Sequence, residues 1–442
     1  MENNKKVYIE THGCQMNFSD SEIVASILKD QGYEQTEKID AADVIFLNTC
    51  SIRENAEQRV RRRLQNIYSL KKHNPQLIIG LLGCMAERIK SALPEDERLL
   101  DLIAGPDSYR HLPQLLSEAG LGQKAVDIIL SADETYADIN PVRLDFNGIS
   151  AFISIMRGCE NYCSYCVVPS TRGLERSRDM LSIIRESEDL FQKGYREITL
   201  LGQNVNSYAW TDNNTRLHFP ELLNRIAVVS PQLRVRFATS HPKDISDELL
   251  DVIRQHENIC KAIHLPVQSG SNKILDLMNR KYTREQYMER IEAIRRIIPG
   301  CSISTDIIAG FCNETEADHE ETLSLMEWVG YEHAFMFYYS ERSQTLAAEQ
   351  LKDNVPAEVK ERRLNEIIAL QQRLSYQSNE RDRGKIFKVL VEGESKRSKE
   401  QLFGRISQNK VVVFPKTNIG KGNYVNVKIN RVTSATLIGE VI

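Results

Sequence analysis

The 442-residue sequence predicts an α/β protein in three parts. These are an N-terminal parallel α/β domain, a central partial (β/α)6 barrel and a small C-terminal antiparallel β-barrel. Three observations predict this arrangement. From Val7 to Leu82, short apolar runs alternate with amphipathic segments, the signature of a parallel sheet. The alternation resumes at Ala151 with six strand–helix units, too few to close an eight-stranded barrel. From Ile386 the pattern changes to short β-rich runs separated by Gly, Asn and Pro. The expected boundaries are 1–146, 147–378 and 379–442.

In the first part, Val7–Thr11, Val44–Asn48 and Leu77–Leu82 are expected as buried strands. Ser19-Asp20-Ser21-Glu22 has the form of a capping box and precedes Ile23, Val24, Ile27 and Leu28 at helical spacing. A polar helix is expected from about Arg53 to Lys72, and residues 106–147 look like a bridge. In the second part, strands are expected at 151–157, 195–201, 233–239, 261–267, 302–308 and 333–338. Helices are expected at Met180–Gln192, Asp244–Arg254, Arg284–Ile297, Glu316–Trp328 and, closing this part, Ala357–Leu374. The last part offers strands at Phe387–Glu392, Leu402–Ile406, Lys410–Phe414, Tyr424–Ile429 and Ala435–Val441.

Hydrophobic content of 41% and charged content of 27% fit an ordinary globular chain, not a disordered or fibrous one. No apolar run approaches the roughly 20 residues of a membrane helix. Met1-Glu2-Asn3-Asn4-Lys5-Lys6 runs straight into a strand-like stretch, so no leader and a cytoplasmic location are expected. Residues 380–442 hold 13 Lys and Arg against 6 Asp and Glu, a surplus of +7 in a chain of net charge −4. A basic tail on an acidic body points to an anionic partner, and RNA backbone is the favoured one. Arg59-Val60-Arg61-Arg62-Arg63 is expected as a solvated helix face.

Nine cysteines in a chain of this kind point to metal or catalysis. Cys159, Cys163 and Cys166 form a Cys-x3-Cys-x2-Cys run directly after the first strand of the central part, at the mouth where such folds carry their sites. Three thiolates on one loop suit a 4Fe-4S cluster with one iron left open for a ligand. The competing readings are zinc with a remote fourth ligand and three structural cysteines. Cys14, Cys50 and Cys84 each follow an N-terminal strand. In a parallel sheet such positions converge at one edge, so a second three-thiolate site is expected. Cys260, Cys301 and Cys312 are expected to be packing or incidental thiols.

The cysteine run, its place after the first strand and the aromatic Tyr165 before its last cysteine resemble the radical S-adenosylmethionine (SAM) superfamily. Both triads together resemble its methylthiotransferase family over essentially the whole chain. That likeness implies a cluster-binding N-terminal domain, a radical SAM partial barrel and a C-terminal TRAM barrel that grips RNA. Gly13-Cys14-Gln15-Met16-Asn17, Asn48-Thr49-Cys50-Ser51-Ile52-Arg53, Gly83-Cys84-Met85-Ala86 and Val168-Pro169-Ser170-Thr171-Arg172-Gly173 resemble the MiaB type, which modifies tRNA. Between Asp306 and Thr315, Cys312 and Asn313 stand where the family usually has Pro-Gly, which leaves the loop geometry there open but not the chemistry.

The resemblance implies two 4Fe-4S clusters, on Cys14/Cys50/Cys84 and on Cys159/Cys163/Cys166. It implies two SAM per turnover, one donating methyl to sulfur and one cleaved to the radical that activates C2 of isopentenylated adenosine 37. An unactivated aromatic C–H gives acid–base catalysis no handle, which is why a radical is needed. Partners implied are the tRNA anticodon loop, a flavodoxin-like or ferredoxin-like electron donor and a sulfur donor. Tyr165 is expected against the adenine of SAM, and Gln203 and Asn204 near its amino group. Ser240, Gln268 and Asp306 end later strands and are expected to face SAM or substrate, with helix capping as the alternative for Ser240 and Asp306. Other candidate functions are methylthiolation of threonylcarbamoyl-adenosine 37 or of a ribosomal protein, and a non-catalytic Fe–S protein that binds RNA.

Overall fold

A computed structural model describes residues 4–50, 54–89, 96–144 and 147–442. Ser51, Ile52, Arg53 and Phe146, all within sequence motifs or at an expected boundary, lie outside the described residues. The N-terminal sheet is six-stranded and wholly parallel. Its spatial order is Glu34–Gln35, Lys6–His12, Val44–Thr49, Ile78–Leu82, Leu102–Ala104 and Ala125–Asp127. The run Val44-Ile45-Phe46-Leu47 is apolar throughout because both faces are covered. Phe46 packs with Val24, Leu28 and Leu112, whereas Ile45 and Leu47 pack with Val60 and Leu64 on the other side.

Two expectations need correction here. The stretch 106–147 is not merely a bridge: it contributes the helix Leu112–Gly120 and the edge strand Ala125–Asp127 to the first sheet. Three residues are too few for a period-2 pattern to register. Ser19-Asp20-Ser21-Glu22 is not a helix start. The helix spans Gln15–Asp30 with Cys14 at its N-cap, and those four residues lie buried inside it. Their polar groups serve tertiary partners: Ser21 Oγ meets Thr11 Oγ1 at 2.7 Å and accepts from Asn48 at 2.9 Å, and Glu22 accepts from Arg143 at 2.7 Å.

The central part has six parallel barrel strands in two groups. Ser150–Ser154, Glu197–Leu201 and Arg234–Phe237 form one, and Ala262–His264, Ser302–Ala309 and His333–Tyr338 the other. A bridge between Val235 and Ile259 continues one group into the next. The helices Met180–Gln192, Asp247–Gln255, Arg284–Ile297, Glu316–Val329 and Ala357–Glu380 back them. The stretch expected as one strand, 151–157, is broken after Ser154. Met156–Arg157 pairs antiparallel with Arg176–Ser177 instead and so closes a neck beneath the cysteine loop.

The C-terminal strands Ile386–Ser395, Ser398–Arg405, Val411–Pro415, Leu437–Val441 and Tyr424–Val432 close into a barrel around Val389, Val391, Leu402, Phe414 and Val427. It was expected to be antiparallel throughout, but Val411–Pro415 and Leu437–Val441 run parallel. A closed ring of an odd number of strands cannot alternate direction at every step. The barrel docks on the N-terminal ends of the central strands. Arg234 Nη1 donates to the Arg405 carbonyl at 2.6 Å and Arg236 Nη2 to that of Ile406 at 2.9 Å. Of the arginine-rich helix Glu54–Tyr68, Arg59 and Arg62 are exposed while Arg63 pairs with Glu10 at 2.8 Å.

Candidate active site

Parallel strands deliver Cys14, Cys50 and Cys84 to one edge of the first sheet. Cys14 opens the helix after Lys6–His12, Cys50 follows Val44–Thr49, and Cys84 opens the helix Cys84–Ile89 after Ile78–Leu82. Backbone approach is close enough to require glycine twice. A Cβ on Gly13 (φ +148°) would sit 2.6 Å from Cys50 Cβ, and one on Gly83 (φ +87°) 2.4 Å from Asn48 Oδ1. Asn17 and Asn48 pin the strand ends: Asn17 Nδ2 donates to Asn48 Oδ1 at 3.1 Å, and Asn48 Nδ2 to the Asn17 carbonyl at 2.9 Å. The Cys14 thiol is lowered to about 6 by a hydrogen bond with Cys50, against burial, with the Arg172 charge and the backbone N–H groups of Asn17 and Met16 adding to it. Burial raises Cys84 in spite of Arg172, whose Nε donates to Cys84 Sγ at 3.2 Å.

The second set sits on the loop above the neck. Gly158 (φ +78°) turns the chain where a Cβ would lie 1.9 Å from the Leu174 carbonyl oxygen, so glycine is obligatory there. Asn161 Nδ2 lies 3.5 Å from Cys159 Sγ, and Arg280 Nη1 donates to Cys163 Sγ at 3.1 Å. Burial pushes Cys159 up to about 11 and Cys166 up to about 12, the neighbouring thiols adding to both. In each set one sulfur receives an arginine N–H, Cys84 from Arg172 and Cys163 from Arg280, which favours its thiolate, while burial holds Cys84, Cys159 and Cys166 toward the neutral thiol until a metal takes the proton's place. Three thiols and, among the described residues, no fourth protein ligand leave a closed zinc site one donor short, whereas a cluster takes each thiolate on a separate iron, so the chemistry of the donor sets fits a cluster.

Around the mouth of the barrel, polar atoms are buried without partners: Ser154 Oγ, Gln203 Oε1, Asn204 Oδ1, both amide atoms of Asn206, Ser240 Oγ and His241 Nε2. Buried polar groups are normally paired, so such a row at strand ends fits a polar ligand with several hydrogen-bonding groups, as SAM has. Asn204 is held by Asp244, to which its Nδ2 donates at 2.7 Å. Gln268 takes φ +72° and bridges to the Ile307 strand. Asp306 faces His264 Nε2 at 3.4 Å. Neither Ser240 nor Asp306 caps a helix: Ser246 and Thr315 do. Tyr165 packs edge-on against Phe311 with ring centres 6.5 Å apart and lies 3.4 Å from Arg280 Nη1. Asn313 adopts φ +63°, so it takes the left-handed turn that the missing glycine would supply, and Cys312 is buried beside Phe311 and Tyr339.

Sequence reasoning gave no site role to Arg157, Arg172 or Arg280 and placed Asp20 only in a capping box. Asp20 is wholly buried and accepts from Arg157 Nη1 and Arg172 Nη2, both at 2.8 Å. Burial works against its charge, but the two guanidiniums outweigh it and lower its carboxyl. Arginine next to a cysteine motif is too common a residue to carry a signal unaided; only the buried carboxylate from another part of the chain marks these.

Three family profiles match: Uncharacterized protein family UPF0004 over residues 6–105, the Radical SAM superfamily over 153–326 and the TRAM domain over 380–442. The chain is 56% identical over 449 residues to a tRNA-2-methylthio-N(6)-dimethylallyladenosine synthase of Amoebophilus asiaticus, covering 99% of this chain and 92% of the relative. It is 58% identical over 434 residues to the protein of the same name from Chloroherpeton thalassium, covering 98% and 95%. Among solved structures, the radical S-adenosylmethionine methyltransferase TsrM from Kitasatospora setae has a TM-score of 0.55 at 14% identity, covering 75% of this chain and 72% of that one. At that identity the likeness concerns the fold alone.

Proposed function

Because this chain belongs to the family of tRNA-2-methylthio-N(6)-dimethylallyladenosine synthases, we propose that it converts N6-isopentenyladenosine 37 of tRNA to its 2-methylthio form. It is a radical SAM transferase. When bound, a 4Fe-4S cluster on Cys159, Cys163 and Cys166, a second on Cys14, Cys50 and Cys84, and two SAM per turnover supply the electron, the radical, the sulfur and the methyl group. The observation that carries this reading is that Arg172, on the short helix that follows the Cys159/Cys163/Cys166 loop, donates to Cys84 of the other set.

This chain's own residues position and shield. Gln203, Asn204, Ser240 and Tyr165 offer polar and aromatic contacts to SAM at the mouth, and Gln268 and Asp306 line the way to substrate. Arg280 fixes the Cys163 thiol from below while its Nη2 donates to the Pro266 carbonyl at 2.7 Å, so the loop is registered on the barrel. An unpaired loop base costs little to extrude into such a mouth. The working units are 1–146, 147–378 and 379–442, the last gripping tRNA. No helix among the described residues is long and apolar enough to cross a membrane. A cytoplasmic location, a flavodoxin-like or ferredoxin-like reductant and a separate sulfur donor complete the reading.

The test is anaerobic reconstitution followed by incubation with SAM, dithionite and tRNA bearing isopentenyladenosine. The expected results are 5′-deoxyadenosine in the supernatant and 2-methylthio-isopentenyladenosine in digested tRNA. Absence of deoxyadenosine under all conditions would sink the radical assignment. Deoxyadenosine with an unchanged nucleoside would redirect the search to another substrate.

A further inference from the structure

Where the N-terminal sheet meets the cysteine loop, three buried arginines face two buried carboxylates. Asp20 pairs with Arg157 and Arg172. Asp107 pairs with Arg176 at 2.9 Å and lies 3.6 Å from Arg157 Nε. Among these five side chains one positive charge is left over. The adjacent network of Arg143, Arg178, Glu22 and Glu186 balances two against two. A buried charge needs a counter-charge, and the thiols beside Arg172, Cys14 and Cys84, are placed to supply it as thiolates. Arg172 gives the direction. Its Nη2 is spent on Asp20 and its Nε on Cys84 Sγ, while its Nη1 is buried with no hydrogen-bond partner. The Cys14 thiol lies within reach of the same charge.

We propose that Arg172 is a positioning residue for the Cys14/Cys50/Cys84 site: it orients the Cys84 thiolate and offers its remaining N–H to an anionic sulfur held there. The role rests on the reading of these three cysteines as a cluster site. Arginine suits it because a planar fork can serve a carboxylate, a thiolate and a third acceptor at once, which an ammonium on a flexible stem cannot hold in fixed geometry. Donation of N–H to cluster sulfur raises its reduction potential. The helix Val168–Arg172 leads directly out of the other cysteine loop, so the residue that donates to Cys84 is carried by the chain segment that follows Cys166.

The measurement uses the full-length chain with Cys159, Cys163 and Cys166 replaced by Ala, so that the remaining cluster alone reports. Redox titration followed by electron paramagnetic resonance should give a more negative midpoint potential for Arg172→Gln and a smaller shift for Arg172→Lys. With the native cysteines restored, methylthio transfer per deoxyadenosine formed should fall about 10- to 100-fold in Arg172→Gln. A fully loaded Arg172→Gln chain with native potential and native transfer ratio would overturn the role. Where that variant does not load, Arg172→Lys decides by the same two readouts. If the triple-Ala chain with Arg172 intact holds no iron, the second cluster itself is refuted and the role falls with it.

Discussion

Asp20 looks like an ordinary helix-start residue in sequence, yet it is the counter-charge for two arginines that flank a cysteine loop more than a hundred residues away. Replacing it with Asn keeps the shape and removes the charge. The two guanidiniums would then be stranded, so Asp20→Asn should cost about 3–5 kcal/mol of apoprotein stability, read from urea unfolding. Cys14→Ala should halve the iron per chain and abolish methylthio transfer while SAM is still cleaved; retained transfer would remove Cys14 from the cluster site. His241 supplies a pH dependence. Burial, with Arg280 and two lysines nearby, lowers its folded value to about 2 from 6.5. Below pH 6.5 the unfolded chain binds a proton there that the folded chain refuses, so stability falls as pH drops, by up to about 1.4 kcal/mol per unit. His241→Gln should flatten the thermal midpoint of the apoprotein between pH 6.5 and 4.5.

At the scale of elements, amphipathic helices were the most legible parts: Met180–Gln192 and Arg284–Ile297 begin and end where their periodicity does. Thr283 and Thr315 cap helices through side-chain oxygens, local chemistry that sequence carries directly. Short strands were less legible. Leu102–Ala104, Ala125–Asp127 and the Met156–Arg157 pairing with Arg176–Ser177 are defined by neighbours, not by any pattern of their own. That last pairing gives the cysteine loop its neck, with Gly158 at the turn. Gly158→Ala would force a Cβ onto the Leu174 carbonyl and demand an unfavourable φ. Loss of about half the iron and of deoxyadenosine formation is expected, and normal values for both would show that the loop tolerates a different turn.

For the whole molecule, the strand Arg234–Phe237 states the layout. Its first residues bind the C-terminal barrel through Arg234 and Arg236, and beyond its end lie Ser240 and His241 at the mouth. The basic barrel therefore sits at the opposite end of the central strands from Ser240 and His241, so under the proposed function a tRNA that reaches both would extend along the side of the central part. Lys396, Arg397 and Lys399 stand exposed at and beside the tip of the first hairpin of that barrel. Replacing all three with Ala should weaken tRNA binding and reduce the slope of log K against log salt by about 0.7–0.9 for each phosphate no longer neutralised. An unchanged slope in a filter-binding titration would move the RNA interface elsewhere on the molecule.

The sequence by itself determined the architecture, the two sets of cysteines and the family, because hydrophobic period, strand–cysteine succession and motif spacing are properties of adjacent residues. Tertiary structure alone decided which charges face the thiols, which strand ends line the mouth and where the C-terminal barrel sits. Those depend on pairings such as Asp20 with Arg172 and Arg236 with Ile406, made between segments far apart in the chain. A buried charge is stable only beside its partner, and no local pattern records who that partner is.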